Sequence, residues 1–262
     1  MAVLDIRQKA ERIVELFRRR QPSEILPAEL YPANLDEAYA IRRAVQEIEE
    51  TMGRGAIAGY KIGLTTPVMQ KLCGVNEPCY GAIFAREVHH RRAALSARDY
   101  CRLGVETEIA LRLGDDLPAA GNPQQVAGAV ESCMAAIELI EDLRYDYKRL
   151  DAAALVAGNV WNAGVVLGEP VTGWRTLDLA QVTARLSING REIGKGKGGD
   201  VMGHPLNALA WLADKLAAAG TPLRRSMIIM TGSMVPIQYP VAGDSILIEL
   251  CGLGAVELTV KA

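Results

Sequence analysis

The spacing of apolar residues changes near residue 55, and this change limits the folds open to the chain. Residues 6–17 and 37–50 place apolar side chains at helical intervals, the second stretch behind a cap at Asn34 or Asp36. From Ala56 onward, short apolar runs separated by Gly and Pro predict strands. The predicted strands cover 56–64, 105–113, 162–167, 227–231, 245–250 and 255–260, and two later helices are predicted over 123–134 and 204–219.

The order of these elements indicates the fold class. Because the strands are clustered and do not alternate regularly with helices, the pattern favours an α+β fold over a doubly wound parallel sheet. We expect an N-terminal helical layer over residues 1–55 and a β-rich body over 56–262, joined as one continuous unit. A chain of 262 residues, half of them hydrophobic, is long enough to bury a substantial core.

Charge and composition argue against several partners. The net charge of -2, from 29 basic and 31 acidic residues, provides no positive field for a nucleic acid. No apolar run is long enough to span a membrane, and the N-terminus lacks the pattern of a signal peptide. Five widely spaced cysteines without a C-x-x-C pair are typical of reduced thiols, so we expect a cytoplasmic protein.

The segment around Glu106 and Glu108 carries the strongest chemical signal. Residues two apart in a strand point to the same face, so the two carboxylates lie close together. Like charges at such a distance repel each other unless a cation lies between them. The alternative is a solvated outer face of an antiparallel strand.

A third carboxylate favours a metal site. Glu138 interrupts the apolar run 134–140, where an ionised carboxylate is costly unless it is paired or binds a metal. Three carboxylates without a histidine suit a hard cation, Mg²⁺ or Mn²⁺, with the remaining coordination positions left to water and substrate oxygens. A salt bridge from Glu138 to an Arg or Lys is the alternative.

Lys61 lies inside a predicted apolar strand, just before a turn that begins at Gly63. Buried lysines are rare, so this one is a candidate for binding a substrate carboxylate or, with a depressed pKa, for moving a proton. A lysine that extends its ammonium group to the surface is the alternative interpretation.

Other motifs are weaker. The hydroxyls and amides of Thr231, Gly232 and Ser233 could orient a substrate carboxylate, but no G-x-S-x-G elbow is present. Residues 194–199 match G-x-G-x-x-G without the strand, helix and acidic residue of a dinucleotide site, which favours a flap near the mouth of the active site. His89, His90 and His204 lack metal-ligand spacing, and cap or loop roles are expected for them.

Together these segments resemble the 2-keto-4-pentenoate hydratase and 4-oxalocrotonate decarboxylase family, within the fumarylacetoacetate hydrolase superfamily, over nearly the whole chain. The resemblance rests on KIGLT at 61–65, ETE at 106–108, AIELI at 136–140, NAGVVLG at 162–168, MGHPLN at 202–207 and TGS at 231–233. It implies a mixed β-rich body, Mg²⁺ or Mn²⁺ on the three glutamates, and a homo-oligomer, which could also form a complex with another enzyme of its pathway. The implied substrates are small 2-oxo or 2-hydroxydienoic acids from meta-cleavage of aromatic rings.

The resemblance also implies a reaction and the residues that contact the substrate. The metal would stabilise an enolate, from which water adds to give a 4-hydroxy-2-oxo acid, or carbon dioxide leaves a 4-oxalocrotonate-like diacid. Lys61 would serve either branch. Substrate contacts are expected at Leu64, Thr65, Cys79, Trp161, Thr231, Gly232 and Ser233.

Two departures from the family pattern bear on this choice. Cys79 stands where the hydratases have an aspartate, and residues 158–161 replace Asp-Asn-Ala-Ser, which removes an acid at Gly158 and introduces Trp161. We expect hydration as the leading activity, with decarboxylation as the alternative. A catalytically silent, metal-binding partner subunit is the third hypothesis.

Overall fold

The N-terminal layer consists of two helices with side-chain caps. The computed structural model describes residues 4–22 and 26–262. Helix α1 (Ile6–Arg18) begins at Asp5, whose carboxylate accepts a hydrogen bond from the Gln8 backbone. Helix α2 (Leu35–Glu49) begins after Asn34, one of the two caps that the sequence offered, which accepts a hydrogen bond from the Glu37 backbone. The two helices pack on each other through the apolar faces that their periodicity predicted.

The remaining chain contains thirteen strands and four further α-helices among the described residues. The strands are β1 (Ile57–Gly63), β2 (Cys79–Phe84), β3 (Val88–His90), β4 (Arg92–Ser96), β5 (Leu103–Leu113), β6 (Val130–Glu141), β7 (Asn162–Leu167), β8 (Thr183–Ile188), β9 (Arg191–Lys197), β10 (Ile228–Met230), β11 (Val235–Gln238), β12 (Ser245–Leu250) and β13 (Gly254–Lys261). The helices are α3 (Pro67–Leu72), α4 (Pro123–Ala129), α5 (Ala152–Ala157) and α6 (Pro205–Ala218).

These strands form two mixed sheets. The larger sheet has the order β2-β1-β10-β5-β6-β7-β3, with β11 also paired to β5. The smaller sheet has the order β4-β13-β12-β8-β9. The main apolar core contains side chains from both sheets and from α6. This arrangement confirms the predicted α+β fold with a helical N-terminal layer, and no helix in the described ranges is both long and apolar enough to cross a bilayer.

The long β5–β6 hairpin positions the carboxylates. Its antiparallel register pairs Glu106 with Glu138 and Glu108 with Ala136. The structure corrects the helix predicted over 123–134, because α4 ends at Ala129 and residue 130 begins β6. Strand β6 lies between β5 and β7 in the sheet, and nearly all of its side chains are buried on both faces of that sheet. It therefore lacks the alternation of apolar and polar residues that distinguishes a half-exposed strand from a helix.

Candidate metal centre and active site

Glu106, Glu108 and Glu138 form a compact cluster at the centre of the larger sheet. One carboxylate oxygen from each lies within 4.8 Å of those from the other two. Glu108 and Glu138 are fully buried, and Glu106 is half-buried at the wall of a cavity. Burial of Glu108 excludes the alternative of a solvated outer strand face.

Each buried carboxylate has one oxygen satisfied and one left without a partner. Glu108 Oε2 accepts a hydrogen bond of 2.7 Å from the Gly232 backbone, and Glu138 Oε1 accepts one of 2.9 Å from Asn162 Nδ2. Within residues 4–22 and 26–262, Glu108 Oε1 and Glu138 Oε2 have no hydrogen-bond partner. Buried oxygens without a donor are costly, and hard cations prefer such ligands, so the cluster fits Mg²⁺ or Mn²⁺.

Lys61 is the cation beside the cluster. Its Nζ lies 3.1 Å from Glu138 Oε1, and both side chains are buried. The predicted alternative of a salt bridge to Glu138 is therefore present, and Lys61 does not extend to the surface. One lysine against three carboxylates leaves two negative charges unbalanced, which is the charge that one divalent cation neutralises.

The pKa values of this group follow from its burial and mutual repulsion. Burial and the neighbouring Glu138 raise the pKa of Glu106 to about 7. Burial, Glu138 and Glu106 together raise the pKa of Glu108 well above its usual value. Burial alone would lower the pKa of Lys61, but Glu138, Glu106 and Glu108 outweigh it and raise that pKa. The depressed lysine pKa considered from sequence is not found beside these carboxylates.

An interruption between β10 and β11 brings the backbone to Glu108. Met230 pairs with Ala110 and Val235 pairs with Thr107, so the four residues 231–234 leave the ladder opposite 108–109. Gly232 has a φ of 121°, and a Cβ there would lie 2.5 Å from Thr65 Cγ2. Glycine thus permits the close approach of this loop to the β1–α3 turn.

A left-handed turn at 159–161 forms another side of the site. Asn159, Val160 and Trp161 have φ values of 56°, 52° and 56°, a region that β-branched and bulky residues rarely adopt. The Asn159 side chain holds the turn by accepting from Ala82 N at 2.7 Å and donating to Ala82 O at 2.9 Å. The turn places Val160 and Trp161 at the cavity wall and leads directly to Asn162, the donor to Glu138.

The cavity beside the cluster has a volume of about 600 Å³. Of the residues predicted from sequence, those on its wall are Lys61, Leu64, Thr65, Glu106, Trp161 and Ser233. Thr231 and Gly232 lie behind the wall, where Thr231 Oγ1 donates to Ile109 O. Cys79 is also behind it, buried near Gly63 on the neighbouring strand, and burial raises the pKa of its thiol to about 12.

Sequence reasoning missed several residues of the site. Asn162 orients Glu138, yet its only signal was its place in the NAGVVLG segment. Tyr147 and Asp200 line the cavity from short 3₁₀ turns, at positions outside the motifs noted in the sequence. The Asn159 clamp could have been suspected only from an asparagine next to a glycine, since Asn tolerates the left-handed region better than most residues.

The glycine-rich run 194–199 has a packing role. Gly194 and Gly196 lie on β9 against the loop of the cavity wall, and a Cβ at Gly196 would lie 1.9 Å from the Met234 carbonyl oxygen. Residues 194–197 therefore belong to a paired strand packed against the loop of the cavity wall, and the flap predicted from sequence is not found. His204 caps α6 by accepting from Leu206 N through Nδ1, as expected.

Comparison with known proteins identifies the family. The fumarylacetoacetate (FAA) hydrolase C-terminal family matches residues 83–261. The chain belongs to the fumarylacetoacetate hydrolase family. A 2-keto-4-pentenoate hydratase of Burkholderia vietnamiensis is 35% identical over 225 residues, which is 85% of this chain and 84% of that protein. A 2-hydroxyhexa-2,4-dienoate hydratase of Comamonas testosteroni is 30% identical over 97% of this chain and 96% of its own length.

A solved structure confirms the family fold. The 4-oxalocrotonate decarboxylase from Pseudomonas putida G7, complexed with magnesium and adipate, superposes with a TM-score of 0.89 at 24% identity, covering 97% of each chain. A second structure of that decarboxylase contains calcium and acetate. The family predicted from sequence, its fold and the prediction of an enzyme are confirmed; the role of each site residue stays a prediction.

Proposed function

We propose that the chain is a divalent-metal-dependent hydro-lyase that hydrates a 2-hydroxy-2,4-dienoate to a 4-hydroxy-2-oxo acid. The observation that carries this proposal is the cluster of three glutamates, two of which keep an oxygen without a hydrogen-bond partner among the described residues; the cluster meets the cavity at Glu106 and Lys61. The family relatives named as hydratases support the reaction type. A substrate from meta-cleavage of aromatic rings, a homo-oligomer and a cytoplasmic location remain predictions.

The three glutamates, the residues that orient them, and Lys61 would have different roles in binding the metal and the substrate. Mg²⁺ or Mn²⁺ held by Glu106, Glu108 and Glu138 would supply Lewis-acid stabilisation of the negative charge that develops on the substrate C2 oxygen. Gly232 and Asn162 each fix one carboxylate oxygen, which leaves the other oxygen of Glu108 and Glu138 for the cation. Lys61 provides an ammonium group that can pair with the substrate carboxylate or donate a hydrogen bond to the C2 oxygen.

The reaction needs a proton transfer and then addition of water. The enol proton is lost from the C2 oxygen and a proton is gained at C5, which gives a 2-oxo-3-enoate. Water then adds its hydroxyl to C4 and a proton to C3. Because Lys61 has a raised pKa and lies as an ammonium group on the cavity wall next to the cluster, we assign to it a hydrogen bond to the C2 oxygen, while the enol proton passes to water.

Decarboxylation of a 2-oxo diacid is the second candidate. It is favoured by Cys79, which is buried beside the β1 turn and provides no ionised acid where the hydratases have an aspartate. The third candidate is the catalytically silent subunit, which the absence of that aspartate also supports. Product analysis separates all three.

The test is anaerobic turnover of 2-hydroxypenta-2,4-dienoate and of a 2-hydroxymuconate-type diacid, with and without Mg²⁺ or Mn²⁺. We expect metal-dependent formation of a product heavier by one water, and a loss of about 100-fold or more in Glu106→Gln. Glu131→Gln, an exposed glutamate on β6, is the control and should retain activity. Release of carbon dioxide would establish the second candidate, and metal binding without turnover would contradict both.

A further inference from the structure

The cavity extends beyond the carboxylate cluster into an apolar region. This region is defined by the side chains of Met69, Leu72, Leu150, Leu155, Val160 and Trp161. We propose that it binds an apolar tail, so that the preferred substrate is a monocarboxylic dienoate bearing an alkyl or aryl group at the end remote from its carboxylate. This inference rests on the proposed function and specifies its substrate class.

Charge is the first argument for an apolar tail. In the part of the chain that the structure describes, the ionisable groups on the cavity wall are Lys61, Glu106, Asp200 and the Tyr147 phenol. Lys61 is already paired with Glu138 at the cluster, so the wall provides no cation for a second substrate carboxylate. A carboxylate in the apolar region would lose its hydration without gaining a partner.

Size is the second argument. A volume of about 600 Å³ lies within the range of pockets that enclose ligands much larger than a five-carbon acid. A short dienoate at the cluster would leave the apolar region to water or empty. Either outcome forfeits the favourable burial that a longer apolar tail would gain.

Rigidity of the wall is the third argument. Trp161 stacks on Tyr145 with ring centroids 4.9 Å apart and an interplanar angle of 8°. Tyr147 packs perpendicular to Trp161, with ring centroids 6.0 Å apart. Tyr147 in turn donates a hydrogen bond of 3.0 Å to the buried Asp142. Because these side chains are fixed before a substrate arrives, the wall can discriminate between tails without first being ordered.

The test uses the full chain with Mg²⁺ and a series of 2-hydroxy-2,4-dienoates with five, six and eight carbons, a 6-phenyl derivative and a diacid. We expect kcat/KM to rise about fourfold for each added methylene until the region is filled, and to be lowest for the diacid. A flat series, or a preference for the diacid, would overturn the inference.

A binding measurement separates this inference from the proposed function. Calorimetric titration of the magnesium-loaded chain with 2-oxopentanoate, 2-oxohexanoate, 2-oxooctanoate and 2-oxoadipate requires no turnover. Tighter binding with tail length supports the apolar region even if no dienoate is hydrated, in which case the proposed function alone fails. Equal binding of all four acids contradicts the inference even if hydration is observed.

Two variants place a cation in the apolar region. These are Leu150→Arg and, at a more exposed position, Leu72→Arg. Each should lower kcat/KM for the eight-carbon dienoate by about tenfold and raise kcat/KM for the diacid. The matched control is Val241→Arg, at an exposed position outside the cavity, which should change neither. Equal effects of Leu72→Arg on all substrates would count against a role of this wall in specificity.

Discussion

At the residue scale, two kinds of buried carboxylate can be distinguished. Asp142 is fully buried, but it accepts hydrogen bonds from the Arg102 guanidinium, the Arg144 backbone and the Tyr147 hydroxyl. Glu108 and Glu138 are equally buried, and each keeps one oxygen without a donor among the described residues. The first is a structural ion pair, and the second is the arrangement on which the proposed cation site rests.

Replacing Glu138 tests this distinction. Glu138→Gln removes a carboxylate charge from the cluster and leaves Lys61 without its ion-pair partner. We expect Mn²⁺ affinity to fall by about 100-fold or more, measured by electron paramagnetic resonance titration. Glu131→Gln on the exposed part of the same strand is the control, and equal affinities for the two variants would contradict the site.

Glu141 gives a pH-dependent contribution to stability. Burial raises its pKa from 4.5 to about 7, against the opposing hydrogen bonds from the Cys101 and Arg102 backbone. Between these values the folded chain holds a proton that the unfolded chain releases, so the free energy of unfolding falls as pH rises toward 7 and then stays lower.

The variant Glu141→Gln should remove this contribution. We expect its melting temperature to exceed that of the parent chain at pH 8, by about 2–4 °C for each kcal/mol gained, and to match it more closely at pH 5. Differential scanning calorimetry at the two pH values is the measurement. A difference that is the same at both would show that the proton is not held on Glu141.

At the element scale, the left-handed turn at 159–161 determines where two cavity residues and Asn162 lie. Three successive positive φ values are unfavourable for L-residues, by roughly 1–2 kcal/mol each in an unsupported chain. The two hydrogen bonds between the Asn159 side chain and the Ala82 backbone compensate, because they attach the turn to β2. Such strained elements are typical of functional sites.

Substituting Asn159 separates the hydrogen bonds from the strain. Asn159→Ala loses both bonds and disfavours the positive φ, so we expect a loss of about 2–4 kcal/mol in urea unfolding and weaker Mn²⁺ binding. Asn159→Gly loses the bonds but tolerates the φ, and it should be less destabilised. If Asn159→Gly is as unstable as Asn159→Ala, the hydrogen bonds alone hold the turn.

At the scale of the whole molecule, the site joins parts of the chain that are far apart in sequence. Lys61 comes from β1, the glutamates from β5 and β6, Asn162 from β7, and Gly232 from the loop between β10 and β11. These strands are neighbours at the centre of the larger sheet. A cation bound to residues from both β5 and β6 would bind the folded chain and not the unfolded one.

Metal binding should therefore raise thermal stability. At a Mg²⁺ concentration about 100-fold above Kd, the free energy of unfolding rises by about 2.7 kcal/mol, and the melting temperature rises by roughly 5–10 °C. Calorimetry with Mg²⁺ and with an equal ionic strength of Na⁺ is the measurement. The rise should be absent in Glu106→Gln, and an equal rise with Na⁺ would argue against a specific site.

Several strands and chemical features were predictable because they depend only on residues close together in the sequence. The apolar run 162–167 matches β7, and the run 105–113 lies within β5. Both runs are rich in residues with high β-propensity, which is why the strands could be predicted. The two-residue spacing of Glu106 and Glu108 is enough to place both carboxylates on one face of a strand. Lys61 was recognisable because a charge inside an apolar strand needs a partner.

The sequence by itself thus determined six strand segments, those of β1, β5, β7, β10, β12 and β13, and the common face of the Glu106 and Glu108 carboxylates, all of which depend on neighbours within a few residues. Only the tertiary structure decided that Val130 begins a strand, that Cys79 lies behind the cavity wall, and that Gly232 and Asn162 orient the carboxylates. The physical reason is that these features depend on sheet register and on backbone approach between distant segments. Local propensity contains no information about such contacts.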